Sequence, residues 1–221
     1  SFHALKVTFA NEIGTLCKAY GVDSDDVMDV FLSDTTLNLS PYYLHPGFAF
    51  GGSCFPKELR AVSSLFLQKG VKAPLINSIA PSNDEHISRL ISLIQSQDVA
   101  SVGFLGVTFK PDTDDVRESP LLKVLASLLA IPSYKKTTRL MVCDSLLVMD
   151  RVKKDFASTA ISCYVNPLSL FDKAQMLIVG PLRLSPRELK QLALFSGPII
   201  DLKYLDLPQE IKNKPHYHAF C

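Results

Sequence analysis

The sequence lacks three features that would assign it to a specialised class of protein. Its 23 Lys and Arg are balanced by 22 Asp and Glu, and the formal net charge of +1 provides no overall field toward nucleic acid or a membrane surface. No apolar run approaches the roughly 20 residues that span a bilayer, and the first residues do not resemble a signal peptide. We therefore expect a protein that binds neither nucleic acid nor membrane.

Cysteine is scarce and irregularly spaced. The five cysteines are an odd number without CxxC or His-rich spacing, which argues against a disulfide framework and predicts no metal site. Unpaired thiols are typical of reducing compartments, so we expect a cytoplasmic protein. What the chain does have is 47% hydrophobic residues over 221 positions, enough for one sizeable core or two small ones.

Helical periodicity dominates the first hundred residues. Helices are predicted over Phe2–Tyr20, after Asp23, from Pro56 and over Leu75–Ile94. Gly21 follows the first as a C-cap would, and Pro81 should kink or split the last. The segment from Ser82 to His86 is typical of a surface helix start. Residues 33–55 predict a long loop, and loops of this length inside a compact domain are usually functional.

The pattern changes near Asp98. Short β-prone apolar runs then alternate with helical stretches, which predicts a parallel sheet covered on both faces. The predicted strands are Val102–Phe109, Leu140–Cys143, Ile161–Val165, Gln175–Val179 and Pro198–Leu202, and the helices are Leu121–Ile131, Leu147–Phe156, Leu168–Ala174 and Arg187–Phe195. We expect an α/β protein with a helical domain over residues 1–97 and a doubly wound parallel sheet domain over residues 98–221.

The segment from Gly51 to Lys57, Gly-Gly-Ser-Cys-Phe-Pro-Lys, is the first candidate for chemistry. Two glycines allow a turn that other residues make poorly, and Cys54 then lies at the start of a helix whose N–H groups and dipole favour an anion. Lys57 adds positive charge, and such surroundings favour a nucleophilic thiolate. Glu58 could act as a base. Spacing alone leaves open an inert cysteine and an ordinary first-turn glutamate.

A second candidate is the polar loop that follows the first predicted strand. Lys110 and Arg117 lie where ligands bind in open α/β sheets, and both side chains can meet phosphates. The alternative is a solvated loop whose charges pair with one another. Gly103 and Gly106 do not form the GxGxxG fingerprint, so this segment does not by itself indicate a dinucleotide.

A third candidate is the loop around two adjacent tyrosines. Tyr42 and Tyr43 offer hydroxyl groups to a polar ligand, and His45 could titrate or bind phosphate. Aromatic packing under a loop is the alternative reading of these residues.

Taken together, the segments resemble the UDP-glucose/GDP-mannose 6-dehydrogenase family, and the GDP-mannose branch most. The matching stretches are Phe2–Lys6, Ala10–Ile13, Tyr42-Tyr43, Pro46–Cys54, and Phe109-Lys110 with Thr113–Asp115 and Arg117–Pro120. The resemblance implies an NAD-binding domain, a helical domain that forms a homodimer, and a Rossmann-like α/β domain that holds a sugar nucleotide. The NAD-binding domain and its catalytic Lys and Asn have no counterpart in this sequence. We therefore expect that these 221 residues by themselves do not oxidise a substrate.

The resemblance also implies a reaction and roles for individual residues. The family oxidises a sugar C6 alcohol to a carboxylate with two NAD, through a thioester on the residue matching Cys54. Lys57 would lie beside the thiol, Glu58 would take the place of an Asp implicated in water activation, and Arg117 would lie on the cofactor side. The positions implied to contact substrate are His3, Asn11, Tyr42, Tyr43, His45, Gly51 and Lys110.

Two alternatives stay open at the level of sequence. The GDP-mannose branch usually has Arg where this chain has His45, so a UDP-glucose-type substrate is the alternative within the family. A non-catalytic nucleotide-binding or dimerisation module is the alternative from another functional class, since the residues after Val179 depart from the family pattern.

Overall fold

The computed structural model of the chain describes residues 1–36, 43–157, 159 and 161–221. The chain divides into two compact units, one of residues 1–89 with Cys221 and one of residues 90–220. The domain boundary expected between residues 97 and 98 stays a prediction.

The first part of the chain is helical, as predicted. Its helices are α1 (Phe2–Tyr20), α2 (Ser24–Leu32), α3 (Cys54–Gln68) and α4 (Pro74–Gln95). Gly21 ends α1 in the left-handed conformation, at φ 66°, and Asp23 caps α2 by accepting a hydrogen bond from the Asp25 N–H. Local sequence signals therefore set these helix ends.

Two details of these helices differ from expectation. The helix α3 begins at Cys54 rather than at Pro56; proline is tolerated throughout the first helical turn because its missing N–H would have no partner there. Pro81 lies inside α4 without splitting it. A 22-residue helix retains enough hydrogen bonds and buried contacts on either side to continue through the one that Pro81 cannot make.

The second unit contains a parallel sheet, as predicted. Its elements in chain order are β1 (Ser101–Leu105), α5 (Pro120–Ala130), α6 (Pro132–Thr137), β2 (Arg139–Cys143), α7 (Leu146–Asp155), β3 (Ile161–Tyr164), α8 (Pro167–Phe171), β4 (Met176–Val179), α9 (Pro186–Leu194), β5 (Ile199–Asp201), α10 (Gln209–Lys212) and β6 (Tyr217–Ala219). The described residues form a six-stranded sheet of order β3-β2-β1-β4-β5-β6, with every pairing parallel.

This strand order confirms the doubly wound, Rossmann-like fold. The chain runs outward from β1 in one direction and from β4 in the other, so right-handed crossovers place helices on opposite faces. On one face, Leu105, Cys143 and Val179 pack in a buried cluster with residues of α8, α9 and α10. The short edge strand β6 was not predicted, because three residues of mixed polarity carry no alternation signal.

The apolar residues of α1 and α4 differ in how far they are buried. On α4, Ile79, Ile87, Leu90 and Ile94 are all buried within the chain. On α1, the aromatic residues Phe2 and Tyr20 are exposed, at 64% and 78%, whereas Leu5 and Ile13 are half-buried and the small Ala4 and Ala10 are buried. No helix in the described part of the chain is long and apolar enough to cross a membrane.

Candidate active site

The glycine turn presents Cys54 at the first residue of α3. Gly52 has φ 80°, a conformation that residues with side chains rarely adopt, so the predicted need for glycine is met at this position. Cys54 is exposed and carries a free thiol, with its Sγ 3.9 Å from the Ser53 Oγ. Ser53 makes no side-chain capping hydrogen bond with any described residue. The thiol is thus accessible at the positive end of a helix.

Lys57 and Glu58 lie on the same face of α3 as the thiol. Residues three and four positions apart are neighbours on a helix surface, so both side chains can approach Cys54. Both are exposed. Their geometry therefore permits a cation and a carboxylate beside the thiol, as the sequence predicts.

Aromatic side chains surround the start of α3. The rings of Tyr43 and Phe55 meet edge to face with centroids 5.4 Å apart, and the His3 ring lies 5.4 Å from Tyr43 and 6.3 Å from Phe55. Tyr43 has φ 68°, which is uncommon for a bulky residue and typical of functional segments. Two of the predicted substrate contacts, His3 and Tyr43, are thus brought together beside the residue that follows Cys54.

The other described residues predicted to contact substrate in the first unit do not join this aromatic cluster. His45 is exposed and Gly51 is half-buried, whereas Tyr42 lies outside the described residues. Asn11 is buried, and its side-chain amide bonds to backbone rather than standing open. Its Oδ1 accepts from the Gly47 N–H at 3.1 Å and its Nδ2 donates to the Phe48 carbonyl at 3.4 Å.

A second asparagine, Asn83, also bonds to the backbone of the loop before Cys54, and it was not identified from the sequence. Asn83 accepts from the Phe50 N–H at 2.9 Å and donates to the Phe50 carbonyl at 3.1 Å. The expectation of a surface helix start at Ser82–His86 is wrong, because this segment lies in the middle of α4 and Asn83 is buried. A signal was available: Asn83 stands four residues from both Ile79 and Ile87, on the apolar stripe of the helix.

His86 and Cys221 hold the same loop at Gly47. The His86 Nε2 lies 2.9 Å from the Gly47 carbonyl oxygen, and the Cys221 thiol donates to that oxygen at 3.2 Å. Burial lowers the pKa of His86 to about 4, so its ring is neutral at pH 7 and can donate from Nε2.

A cleft of about 260 Å³ lies between α1 and α4. Its lining residues are Thr8, Asn11, Glu12, Thr15, Ser82, Asn83, Glu85, His86 and Arg89. Glu12 accepts a hydrogen bond from the Ser82 hydroxyl, and Arg89 donates to the Thr15 hydroxyl.

In the second unit, the polar loop after β1 has its charges paired. Arg117 donates from Nε and Nη2 to the two carboxylate oxygens of Asp115, at 2.9 and 2.8 Å, and this pairing holds the pKa of Asp115 below its usual range. Lys110 is exposed, with its Nζ 5.5 Å from the Phe109 ring centroid. For Arg117, the described contacts match the solvated-loop alternative.

The crevice at the switch between β1 and β4 does not fit a dinucleotide. Gly106 has φ 86°, and a Cβ there would lie 2.4 Å from the Leu182 backbone nitrogen, so this glycine serves close packing of two loops. Both oxygens of Asp144, at the end of β2, accept backbone N–H groups, from Val107 at 2.8 Å and Ser145 at 2.7 Å. The helix α5 begins only at Pro120. A pyrophosphate would find no glycine-rich helix start among these residues.

An unpredicted ion pair joins the two loops at this crevice. Arg183, after β4, donates from Nε and Nη2 to Asp112, each at 2.7 Å. Such a bidentate fork also matches a phosphate. No group of three or more His, Cys, Asp or Glu side chains that could hold a metal ion is found in the described ranges.

Comparisons with known proteins agree with this architecture. The central domain of the UDP-glucose/GDP-mannose dehydrogenase family matches residues 1–85, and the UDP binding domain of the same family matches residues 103–180. The GDP-mannose 6-dehydrogenase of Pseudomonas putida is 39% identical over 209 residues, which cover 91% of this chain and 47% of that protein.

Two solved structures are similar over nearly the whole chain. A UDP-glucose dehydrogenase from the archaeon Pyrobaculum islandicum aligns with a TM-score of 0.81 at 26% identity, over 99% of this chain and 48% of that one. A ternary complex of GDP-mannose dehydrogenase from Pseudomonas aeruginosa aligns with a TM-score of 0.67 at 32% identity, over 100% and 50%. The chain spans about half the length of these relatives. It belongs to the UDP-glucose/GDP-mannose dehydrogenase family.

Proposed function

We propose that this chain supplies the nucleophile and the sugar-nucleotide site of an NAD-dependent 6-dehydrogenase that converts the C6 alcohol of a GDP-mannose-type substrate to a uronic acid. The observation that carries the proposal is the exposed thiol of Cys54 at the start of α3, with Lys57 and Glu58 on its face. The GDP-mannose assignment is supported by the relatives whose names give that substrate.

Cys54 adds its sulfur to the carbon of a C6 aldehyde. A C–S bond forms, the carbonyl oxygen gains a proton, and the product is a thiohemiacetal. After loss of hydride from that carbon and of the proton from its hydroxyl group, the carbonyl is restored and the sulfur is held in a thioester. Water then attacks the thioester carbon, the C–S bond breaks, and the carboxylic acid and the thiol are released.

Lys57 and Glu58 assist these steps by charge. The Lys57 ammonium favours the thiolate before attack and the oxyanion after it. Glu58 accepts a proton from the water that attacks the thioester. We assign His3, Asn11, Tyr42, Tyr43, His45 and Gly51 to the sugar-nucleotide site, and Lys110 to the substrate as well.

NAD, when bound, accepts the hydrides of the reaction. The described residues do not form a dinucleotide-binding fingerprint, so we assign NAD to residues outside them and assign no hydride step to this chain. Arg117 is assigned to the cofactor side, a role that requires its pairing with Asp115 to open.

A UDP-glucose-type substrate is the second candidate. It is favoured by the exposed His45, which stands where the GDP-mannose branch usually has Arg, and by the similarity to the Pyrobaculum enzyme. The two candidates differ in the base of the nucleotide and in the sugar, and titration of the chain with GDP-mannose and with UDP-glucose separates them. We expect GDP-mannose to bind at least about tenfold more tightly, a difference of about 1.4 kcal/mol.

The thiol step is tested with the C6 aldehyde of the sugar nucleotide. We expect the 221-residue chain to bind this aldehyde about tenfold or more tightly than the alcohol, because only the aldehyde forms a bond with Cys54. Cys54→Ala should remove the difference, while Cys163→Ala, at a half-buried thiol of β3, should keep it. Equal binding of aldehyde and alcohol by the parent chain would instead favour a non-catalytic nucleotide-binding module.

A further inference from the structure

The Asn83 side chain of α4 restrains the entry to the glycine turn before Cys54. Asn83 bonds to both the N–H and the carbonyl of Phe50, at 2.9 and 3.1 Å. Two bonds to one residue fix the orientation of the peptide planes on either side of it. Phe50 immediately precedes Gly51 and Gly52, so Asn83 sets the direction in which the chain enters the turn.

The restraint matters because glycines do not hold a conformation by themselves. Glycine loses more conformational freedom on folding than any other residue, and Gly52 must keep φ 80° for the chain to reach α3. On the other side of the turn, the Phe50 ring packs edge to face against Phe55, with centroids 5.7 Å apart. Phe50 thus contacts α4 through its backbone and the first turn of α3, which contains Cys54, through its ring.

The contact requires an amide. Asn83 is 5% exposed, so water cannot readily replace its bonds to Phe50. Aspartate at this position can accept from the Phe50 N–H but cannot donate to the Phe50 carbonyl when ionised, and it places a carboxylate against that oxygen. The other buried asparagine, Asn11 of α1, accepts a hydrogen bond from the Gly47 N–H, three residues before Phe50. Asn83, and not Asn11, therefore bonds to the residue that enters the turn.

We propose that Asn83 is a positioning residue for Cys54, acting through the Phe50 backbone and not by contact with the thiol. The proposal rests on the proposed function, in which Cys54 is the nucleophile. It assigns a role in the chemistry to a residue of α4 that is separated from the thiol by 29 positions of sequence.

The test measures the rate at which iodoacetamide alkylates Cys54 in the 221-residue chain, read from the mass of its peptide across a range of pH. We expect Asn83→Asp to lower the rate at pH 7 by about tenfold and to shift the pH profile, because the thiol leaves its place at the positive helix end. Asn77→Asp introduces the same charge at an exposed site of α4 and should stay within about twofold of the parent.

Ile87→Val separates positioning from loss of stability. It shortens a buried side chain of α4 that does not bond to the loop, so an equal fall in rate in this variant would overturn the proposal. A parental rate and pH profile in folded Asn83→Asp would overturn it too. If Asn83→Asp does not fold, Asn83→Gln replaces it. If neither variant folds, Asn83 serves stability alone and the inference fails.

The same measurement separates this inference from the proposed function. If Cys54 of the parent chain reacts no faster than free cysteine, the proposed function loses its nucleophile and Asn83 has nothing to position. If the parent thiol is reactive and Asn83→Asp leaves it so, only the positioning role fails.

Discussion

At the residue scale, His86 is a histidine that the fold keeps uncharged. It is 5% exposed, bonds to the Gly47 carbonyl, and lies 3.4 Å from the Arg89 guanidinium at its other ring nitrogen. Burial lowers its pKa from 6.5 to about 4. The unfolded chain therefore binds the proton more tightly. The stabilising contribution of neutral His86 is complete above pH 6.5 and is lost as the pH falls toward 4.

We expect this loss to be measurable. Between pH 6.5 and 4, the free energy of unfolding should fall by about 3 kcal/mol through His86. His86→Gln retains a donor for Gly47 without a titrating ring and should flatten this part of the curve in urea unfolding, whereas exposed His218→Gln should not. Asp144 and Asp201, whose pKa values burial raises, act in the opposite direction, so only the difference between variant and parent reports His86. Parallel curves for parent and His86→Gln would contradict the expectation.

At this scale, the candidate chemistry that the sequence suggests comes from neighbours along the chain. The turn, the thiol, the cation and the carboxylate of the candidate site all lie between Gly51 and Glu58, so their arrangement follows from one turn and one helix start. The contacts of Asn83 and His86 with the loop were not predicted, because the residues to which they bond lie 33 and 39 positions away along the chain. Nothing local distinguishes a buried polar side chain with such a partner from an exposed one.

At the element scale, the unusual feature is the proline inside α4. Pro81 is exposed and cannot donate to the carbonyl of Asn77, yet the helix continues. The cost is one missing hydrogen bond and the contact of the ring with the preceding turn.

We expect Pro81→Ala to raise the free energy of unfolding by about 1–3 kcal/mol, since proline is about 3 kcal/mol less favourable than alanine in a helix interior. Urea unfolding followed by circular dichroism measures the change. Pro56→Ala is the matched control, because Pro56 lies in the first turn of α3, where no hydrogen bond is lost, and its effect should be small. Chain entropy acts against both substitutions, because alanine leaves the unfolded chain more flexible than proline does. A gain at Pro56 equal to that at Pro81 would therefore contradict the expectation that the helix interior decides the result.

At the scale of the whole molecule, the homodimer stays a prediction. On α4, Ile79, Ile87, Leu90 and Ile94 are buried within the chain, so these residues do not require a partner. Exposed apolar residues of α1 and α2 form a set that we call the α1–α2 face: Phe2, Phe9, Tyr20, Val27, Val30 and Phe31. The rings of Phe9 and Phe31 lie 5.6 Å apart, which joins the two helices into one surface. Apolar patches of this kind mark protein contacts.

We expect the chain to sediment as a dimer at micromolar concentration and Val30→Asp to shift it to monomer. Val30 is 75% exposed, so the substitution should not disturb folding. Leu194→Asp changes a side chain of α9 that is 74% exposed and should leave the dimer intact. A parent chain that sediments only as a monomer would remove the proposal, and a monomer produced by Leu194→Asp alone would move the contact to the second unit.

The sequence by itself determined the helices except the short α6 and α10, the strands of the sheet except its short edge, the doubly wound fold and the candidate segment around Cys54. These depend on periodicity, caps and residues that are contiguous, all of which are local properties. The tertiary structure decided which face of α1 is buried, the passage of α4 through Pro81, the pairing of Arg117 with Asp115, and the hold of Asn83 and His86 on the loop before the thiol. Each of these is settled by which packing partner or hydrogen-bond partner comes into reach once the chain has folded.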